Sequence, residues 1–196
     1  MTSYGIVAFD LFEELDLAGP YEVFAASRDI RGAGDSVAVL SDGLEPIRGA
    51  KGLRVLPDAT LAATPHVDVV LIPGGDGTER DAANDDLLAW VRGAAGTATW
   101  LTSVCTGSLI LHAAGVADGT RLATHWSFED ALAAHGAIVE RRARFVRDGK
   151  VVSSQGVSAG IDMALWLVGQ LHGVEHARDV QRYIQYEPAP PYTADV

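Results

Sequence analysis

The chain contains one cysteine, Cys105, in the run Ser103-Val104-Cys105-Thr106-Gly107-Ser108. A short apolar run, Trp100-Leu101-Thr102, precedes it, and Leu109-Ile110-Leu111-His112-Ala113-Ala114 follows. That order predicts a buried strand, a tight turn and a helix, with the thiol at the corner. A residue on such an elbow is held in a strained backbone with its side chain thrust outward. The free N–H groups and positive dipole end of the following helix would favour thiolate. The competing expectation is plain packing, because a free cysteine is among the most buried residue types.

Asp16 is the first candidate partner, an acid set in the otherwise apolar Leu15-Asp16-Leu17-Ala18-Gly19-Pro20. In an apolar pocket beside a thiolate its pKa would rise, and it could carry a proton to and from a reacting group. The ordinary reading is a cap for a helix beginning near Pro20. Glu22 is the competing carboxylate, with a solvated helix face as its bland role. His125 could activate the thiol as a base, or could simply pack beside Trp126. The backbone N–H of Thr106 and of Gly75, in Pro73-Gly74-Gly75-Asp76-Gly77-Thr78, could together hold a developing anion. The Thr106 hydroxyl could donate to a substrate. His172 and His176 have a helical chelating spacing, but Gly173 interrupts them and no acid stands alongside, so no metal site is expected. The Gly74–Gly77 turn lacks both dinucleotide and P-loop spacing, which disfavours nucleotide binding.

These residues need a scaffold, and the pattern predicts one. Apolar β-forming runs at 4–9, 36–40 and 67–72 alternate with helical patterns near 15–25 and 85–95, the first with Pro20 in its opening turn. Residues 42–56 read as a hairpin excursion at a sheet edge, and 145–152 as a second hairpin. Ser127 is expected to cap a helix reaching His135. Further helices are expected over 158–171 and 174–185, followed by an extended Pro-rich tail from Glu187. Strands alternating with helices indicate an α/β fold with a mainly parallel sheet and helices on both faces. Ligands of such sheets bind outside the carboxyl ends of the strands. The Asp10–Asp16 connection, the Gly74-Gly75 turn and Cys105 all fall at strand ends.

A length of 196 residues predicts a single domain spanning 1–196. The formal net charge of −11 disfavours nucleic acid and anionic membranes as partners. One cysteine excludes an internal disulfide framework and fits a reducing compartment. The N-terminus lacks a charged leader region, and no apolar stretch is long enough to span a bilayer. A cytoplasmic location is expected.

Taken together, Pro73-Gly74-Gly75, Cys105-Thr106-Gly107-Ser108, Thr124-His125-Trp126 and Ser158-Ala159-Gly160-Ile161-Asp162-Met163-Ala164 resemble the ThiJ/PfpI superfamily. Leu15-Asp16-Leu17, Thr102 to Leu109, and Tyr186-Glu187-Pro188-Ala189-Pro190-Pro191-Tyr192 make the chain most similar to its isocyanide hydratases. The resemblance implies a flavodoxin-like three-layer sandwich, a homodimer, a nucleophilic Cys105 and Asp16 as its acidic partner. It implies a lyase that hydrates isocyanides to N-substituted formamides with no metal or organic cofactor. Thr106 stands where protease-like relatives carry a histidine. Two other functions fit the same superfamily: a glyoxalase-like thiol enzyme on α-oxoaldehydes, with Glu22 at the sulfur, and a redox-sensing or small-ligand-binding module. Regulators of this branch carry a helix-turn-helix domain, for which 196 residues leave no room.

Overall fold

The computed structural model describes residues 1–190; Pro191 and Tyr192 of the C-terminal motif lie outside them. The chain runs β1 (Ser3–Val7), α1 (Glu14–Arg31), β2 (Ser36–Ser41), a small hairpin β3 (Ile47–Arg48) and β4 (Arg54–Val55), and β5 (Ala59–Thr60). It continues β6 (Val69–Ile72), α2 (Thr78–Asp81), α3 (Asp85–Ala95), β7 (Trp100–Val104) and α4 (Ser108–Ala113). The last part is β8 (Arg121–Leu122), α5 (Glu129–Ala134), β9 (Ile138–Val139), β10 (Phe145–Asp148), β11 (Val151–Ser154), α6 (Ala159–His172) and α7 (Val174–Tyr183).

Seven strands form one sheet in the order β10-β11-β7-β6-β1-β2-β5. Every pairing is parallel except β10 with β11. The central strands show why the apolar runs do not alternate: all of Val69–Ile72 and Trp100–Val104 is buried, as both faces are covered. Helix α1 packs against α6 and α7, and α3 against α4. From β1 the chain winds through α1 to β2 on one side, whereas from β6 it winds through α3 to β7 on the other. The reversal between β1 and β6 is a topological switch point, and right-handed crossovers put α1 and α3 on opposite faces.

Three local expectations are corrected. Helix α1 begins at Glu14 after an N-cap at Glu13, so Pro20 lies inside it rather than in the first turn. Pro20 packs where α1 meets α6, close to Gly160. Ser127 does not cap α5: residues Trp126–Phe128 form a separate 3-10 turn, and the Ser127 hydroxyl pairs with His125 Nδ1 at 2.8 Å. The 42–56 excursion does contain the β3–β4 hairpin, but the edge strand of the main sheet is β5.

Candidate active site

The elbow is built as the local sequence suggests. Strand β7 ends at Val104, Cys105–Gly107 make one 3-10 turn, and α4 starts at Ser108. Cys105 has φ of 57°, in the left-handed region, a conformation that costs a non-glycine residue about 1–3 kcal/mol and must be held by its surroundings. Its N–H donates to Gln155 O at 3.2 Å. Its carbonyl accepts from Thr124 Oγ1 at 2.9 Å and from Ser108 Oγ at 3.2 Å. Gly107 is required by close approach, since a Cβ there would stand 2.3 Å from Ile72 O and 2.6 Å from Pro73 O.

Asp16 lies in the first turn of α1 and is wholly buried. Gly74 N–H donates to its Oδ2 at 2.9 Å and Val157 N–H to its Oδ1 at 3.1 Å. Gly74 brings the β6 loop against the elbow: a Cβ would stand 2.6 Å from Thr106 N and 2.8 Å from Cys105 Cβ. Gly75, at φ of 134°, forms an isolated bridge with Phe12 and tolerates no Cβ beside Leu11 O. The Asp16 connection and the glycine turn are thereby locked together, and this brings the Asp16 carboxyl and the Cys105 thiol near enough for each to act on the other's acidity.

Burial is the main force on both groups. It pushes the Asp16 carboxyl up to about 7, against the lowering effect of the Gly74 and Val157 amides, with the charge of Glu13 adding to the rise. It pushes the Cys105 thiol up to about 12, and the negative charge of Asp16 adds to it. The amides of Thr106 and Val157 act on the sulfur in the opposite direction. The expected dipole-assisted thiolate is therefore outweighed: α4 spans only Ser108–Ala113, and desolvation dominates. The charge of Asp16 acts directly on the thiol, so the thiol proton and the carboxylate form a coupled pair. Once that proton sits on Asp16, the repulsion raising the thiol is gone, so transfer within the pair is easier than loss to solvent.

Gly75 and Thr106 are close together, but their polar groups are engaged with one another. Gly75 N–H donates to Thr106 Oγ1 at 3.1 Å. Thr78 Oγ1 donates to Gly75 O at 2.8 Å and lies 2.8 Å from Thr106 Oγ1. Each hydroxyl has one proton, so Thr106 donates to Thr78 and accepts from Gly75. The Thr106 group that reaches the thiol is its backbone N–H.

Glu22 is exposed on α1, and Asp16 is the carboxylate that meets the thiol. His125 is half-buried; its Nδ1 is taken by Ser127, and its ring lies where a Gly156 Cβ would be, 2.2 Å from Cδ2. No hydrogen bond joins it to Cys105 among the described residues. His172 Nε2 meets Tyr4 and Arg31, while His176 Nε2 meets Ser27. No group of three or more metal-ligating side chains occurs among the described residues. Sequence reasoning missed Val157, Thr124 and Thr78. Val157 acts through its amide, which leaves no mark on residue type; the adjacent Gly156 was the available signal.

The site thus draws on the ends of β1, β6, β7 and β11, four neighbours in the sheet. The DJ-1/PfpI family profile matches residues 4–170. The chain belongs to the DJ-1/PfpI family. An isonitrile hydratase of Pseudomonas putida is 40% identical over 188 residues, covering 96% of this chain and 80% of that relative. The HTH-type transcriptional regulator GbdR of Pseudomonas aeruginosa is 30% identical over 190 residues, covering 94% of this chain but 51% of the regulator. The crystal structure of a THiJ/PfpI family protein from Pseudomonas syringae is 34% identical with a TM-score of 0.92, covering 100% of this chain and 79% of that one. DJ-1/PfpI membership accounts for the flavodoxin-like fold. Among the described residues no helix is long and apolar enough to cross a membrane.

Proposed function

We propose that this DJ-1/PfpI protein is a lyase that adds water to isocyanides, R–N≡C, giving N-substituted formamides. The observation that carries the reading is the buried Asp16–Cys105 pair, held by the Gly74 and Val157 amides. The 40% identity to an isonitrile hydratase supports the substrate class. The terminal carbon of an isocyanide accepts a soft nucleophile and bears no leaving group, so catalysis must supply one proton to carbon and then one water.

Cys105 hands its proton to Asp16 and attacks the terminal carbon as thiolate. Asp16 protonates the same carbon, giving a thioimidate, R–N=CH–S–Cys105, and an Asp16 carboxylate. That carboxylate takes a proton from water as the hydroxyl adds to the carbon, and returns it to nitrogen. Collapse of the tetrahedral species breaks the C–S bond, releases R–NH–CHO and sends the hydroxyl proton back to the pair. A carboxyl near 7 suits this alternation, because both protonation states are accessible at neutral pH. The Thr106 N–H stabilises the thiolate, and Gly75 fixes the Thr106 hydroxyl that closes the turn.

The test is turnover of para-nitrophenyl isocyanide. Cys105→Ala removes it with the fold intact; Asp16→Asn leaves the thiol open to alkylation but blocks turnover. Normal hydration by either variant overturns the mechanism. Similarity to half of a transcriptional regulator favours a second reading, a small-ligand-binding module. Saturable binding of the isocyanide by the wild-type protein without any turnover would support that one.

A further inference from the structure

Thr124 follows β8 and is buried, and among the described residues its hydroxyl has one partner, the Cys105 carbonyl at 2.9 Å. The residues on either side of it are fixed to β11 and the turn beyond. Ala123 N–H donates to Ser153 Oγ at 2.8 Å, and the His125 ring packs on Gly156. The same strand end holds the other side of the elbow residue, since Cys105 N–H donates to Gln155 O at 3.2 Å. The second donor to the Cys105 carbonyl, Ser108, is three residues on at the start of α4 and turns with the elbow. Thr124 comes from 19 positions away and holds that carbonyl against the rest of the fold.

The carbonyl matters because Cys105 has a φ of 57°. A non-glycine residue stays in that region only where its surroundings over-determine it, and the setting of its backbone decides where the sulfur points. Gly74 joins the two reacting groups: a Cβ there would lie 2.8 Å from Cys105 Cβ, and its N–H donates to Asp16 Oδ2 at 2.9 Å. A rotation of the Cys105 backbone therefore changes the separation of thiol and carboxyl. We propose that Thr124 is a positioning residue for the elbow: by holding the Cys105 carbonyl, its hydroxyl sets the thiol against the Asp16 carboxyl. Thr102 supplies the purely structural counterpart. It is buried in β7, and its Oγ1 donates to the carbonyl of an ordinary strand residue, Val70 O, at 2.8 Å.

The inference rests on Cys105 and Asp16 being the working pair of the proposed function, but its test needs no isocyanide. The effect of Asp16→Asn on the rate of Cys105 alkylation by iodoacetamide at pH 9 is measured in wild type, Thr124→Val, Thr124→Ser and Thr102→Val. In wild type the substitution removes the negative charge that raises the thiol. A roughly 3–10-fold faster reaction is expected, the size of one partly screened charge. In Thr124→Val this effect is expected to fall below about 2-fold, the signature in a double-mutant cycle of a lost contact between thiol and carboxyl. Thr124→Ser keeps the hydroxyl and the full effect. Thr102→Val also keeps the full effect, although it loses a buried hydrogen bond of the same kind. Where Thr124→Val does not fold, Thr124→Ala carries the same expectation. A full Asp16→Asn effect without the Thr124 hydroxyl, or an equal loss in Thr102→Val, would overturn the proposal. Absent isocyanide turnover in a wild type that shows this cycle would remove the hydratase reading alone, whereas no Asp16→Asn effect in wild type would remove both.

Discussion

Replacing Asp16 by asparagine should make the folded protein more stable at alkaline pH. An acid whose folded pKa is raised destabilises the native state once the unfolded chain ionises and the buried group resists. For Asp16 the rise from 3.8 to about 7 corresponds to roughly 4 kcal/mol at pH above 7, and to almost nothing below pH 4. Asparagine removes that cost but presents one oxygen where Asp16 presents two. Either the Gly74 or the Val157 amide is then left facing an NH2 group, at about 1–3 kcal/mol. The net expectation is a gain of about 1–3 kcal/mol at pH 8, or ~2–10 °C in Tm for a chain of this length. Below pH 4.5 the sign should reverse, because only the unpaired amide remains. Urea denaturation of both proteins at pH 8, 6.5 and 4.5 reads this directly. A variant less stable than wild type by the same margin at all three values would refute the claim that Asp16 is held against its own desolvation.

Two further outcomes follow from the geometry. Gly75→Ala combines a φ of 134° with a Cβ 2.3 Å from Leu11 O, so it should cost at least about 2–3 kcal/mol and detach the Phe12 bridge; an unchanged melting temperature would count against the locked turn. His172 Nε2 meets Arg31 Nη1 at 3.1 Å, and a guanidinium only donates, so the ring is neutral with its proton on Nδ1. Burial and Arg31 hold its pKa below the usual value of 6.5. A base depressed in this way stabilises the fold above pH 6.5 and loses that contribution as pH falls below it. The urea midpoint of His172→Gln should therefore lie below wild type by more at pH 7.5 than at pH 5.5, and an equal gap at both would contradict the assignment.

The elbow was legible because its signals are local: a buried apolar strand, a cysteine, then glycine and a helical run. The parallel sheet was legible for the same reason, in Val69–Ile72 and its counterparts. The Asp16 environment was less so. Its two amide donors come from residues 58 and 141 positions away, and only the strand order brings them together. Pro20 misled the helix start because proline usually marks a first turn, whereas here its contact with α6 decides its place. The thiol's acidity was misjudged because a dipole can be read from a helix start, while desolvation depends on everything packed around it.

The wide separation of the site's parts along the chain has a kinetic consequence. The Val157 amide reaches Asp16 from 141 positions away, through β11, which joins the sheet beside β7. No shorter stretch of the chain brings all of these groups together, so the site is completed only when β11 docks beside β7, a long-range closure of the kind that slows folding.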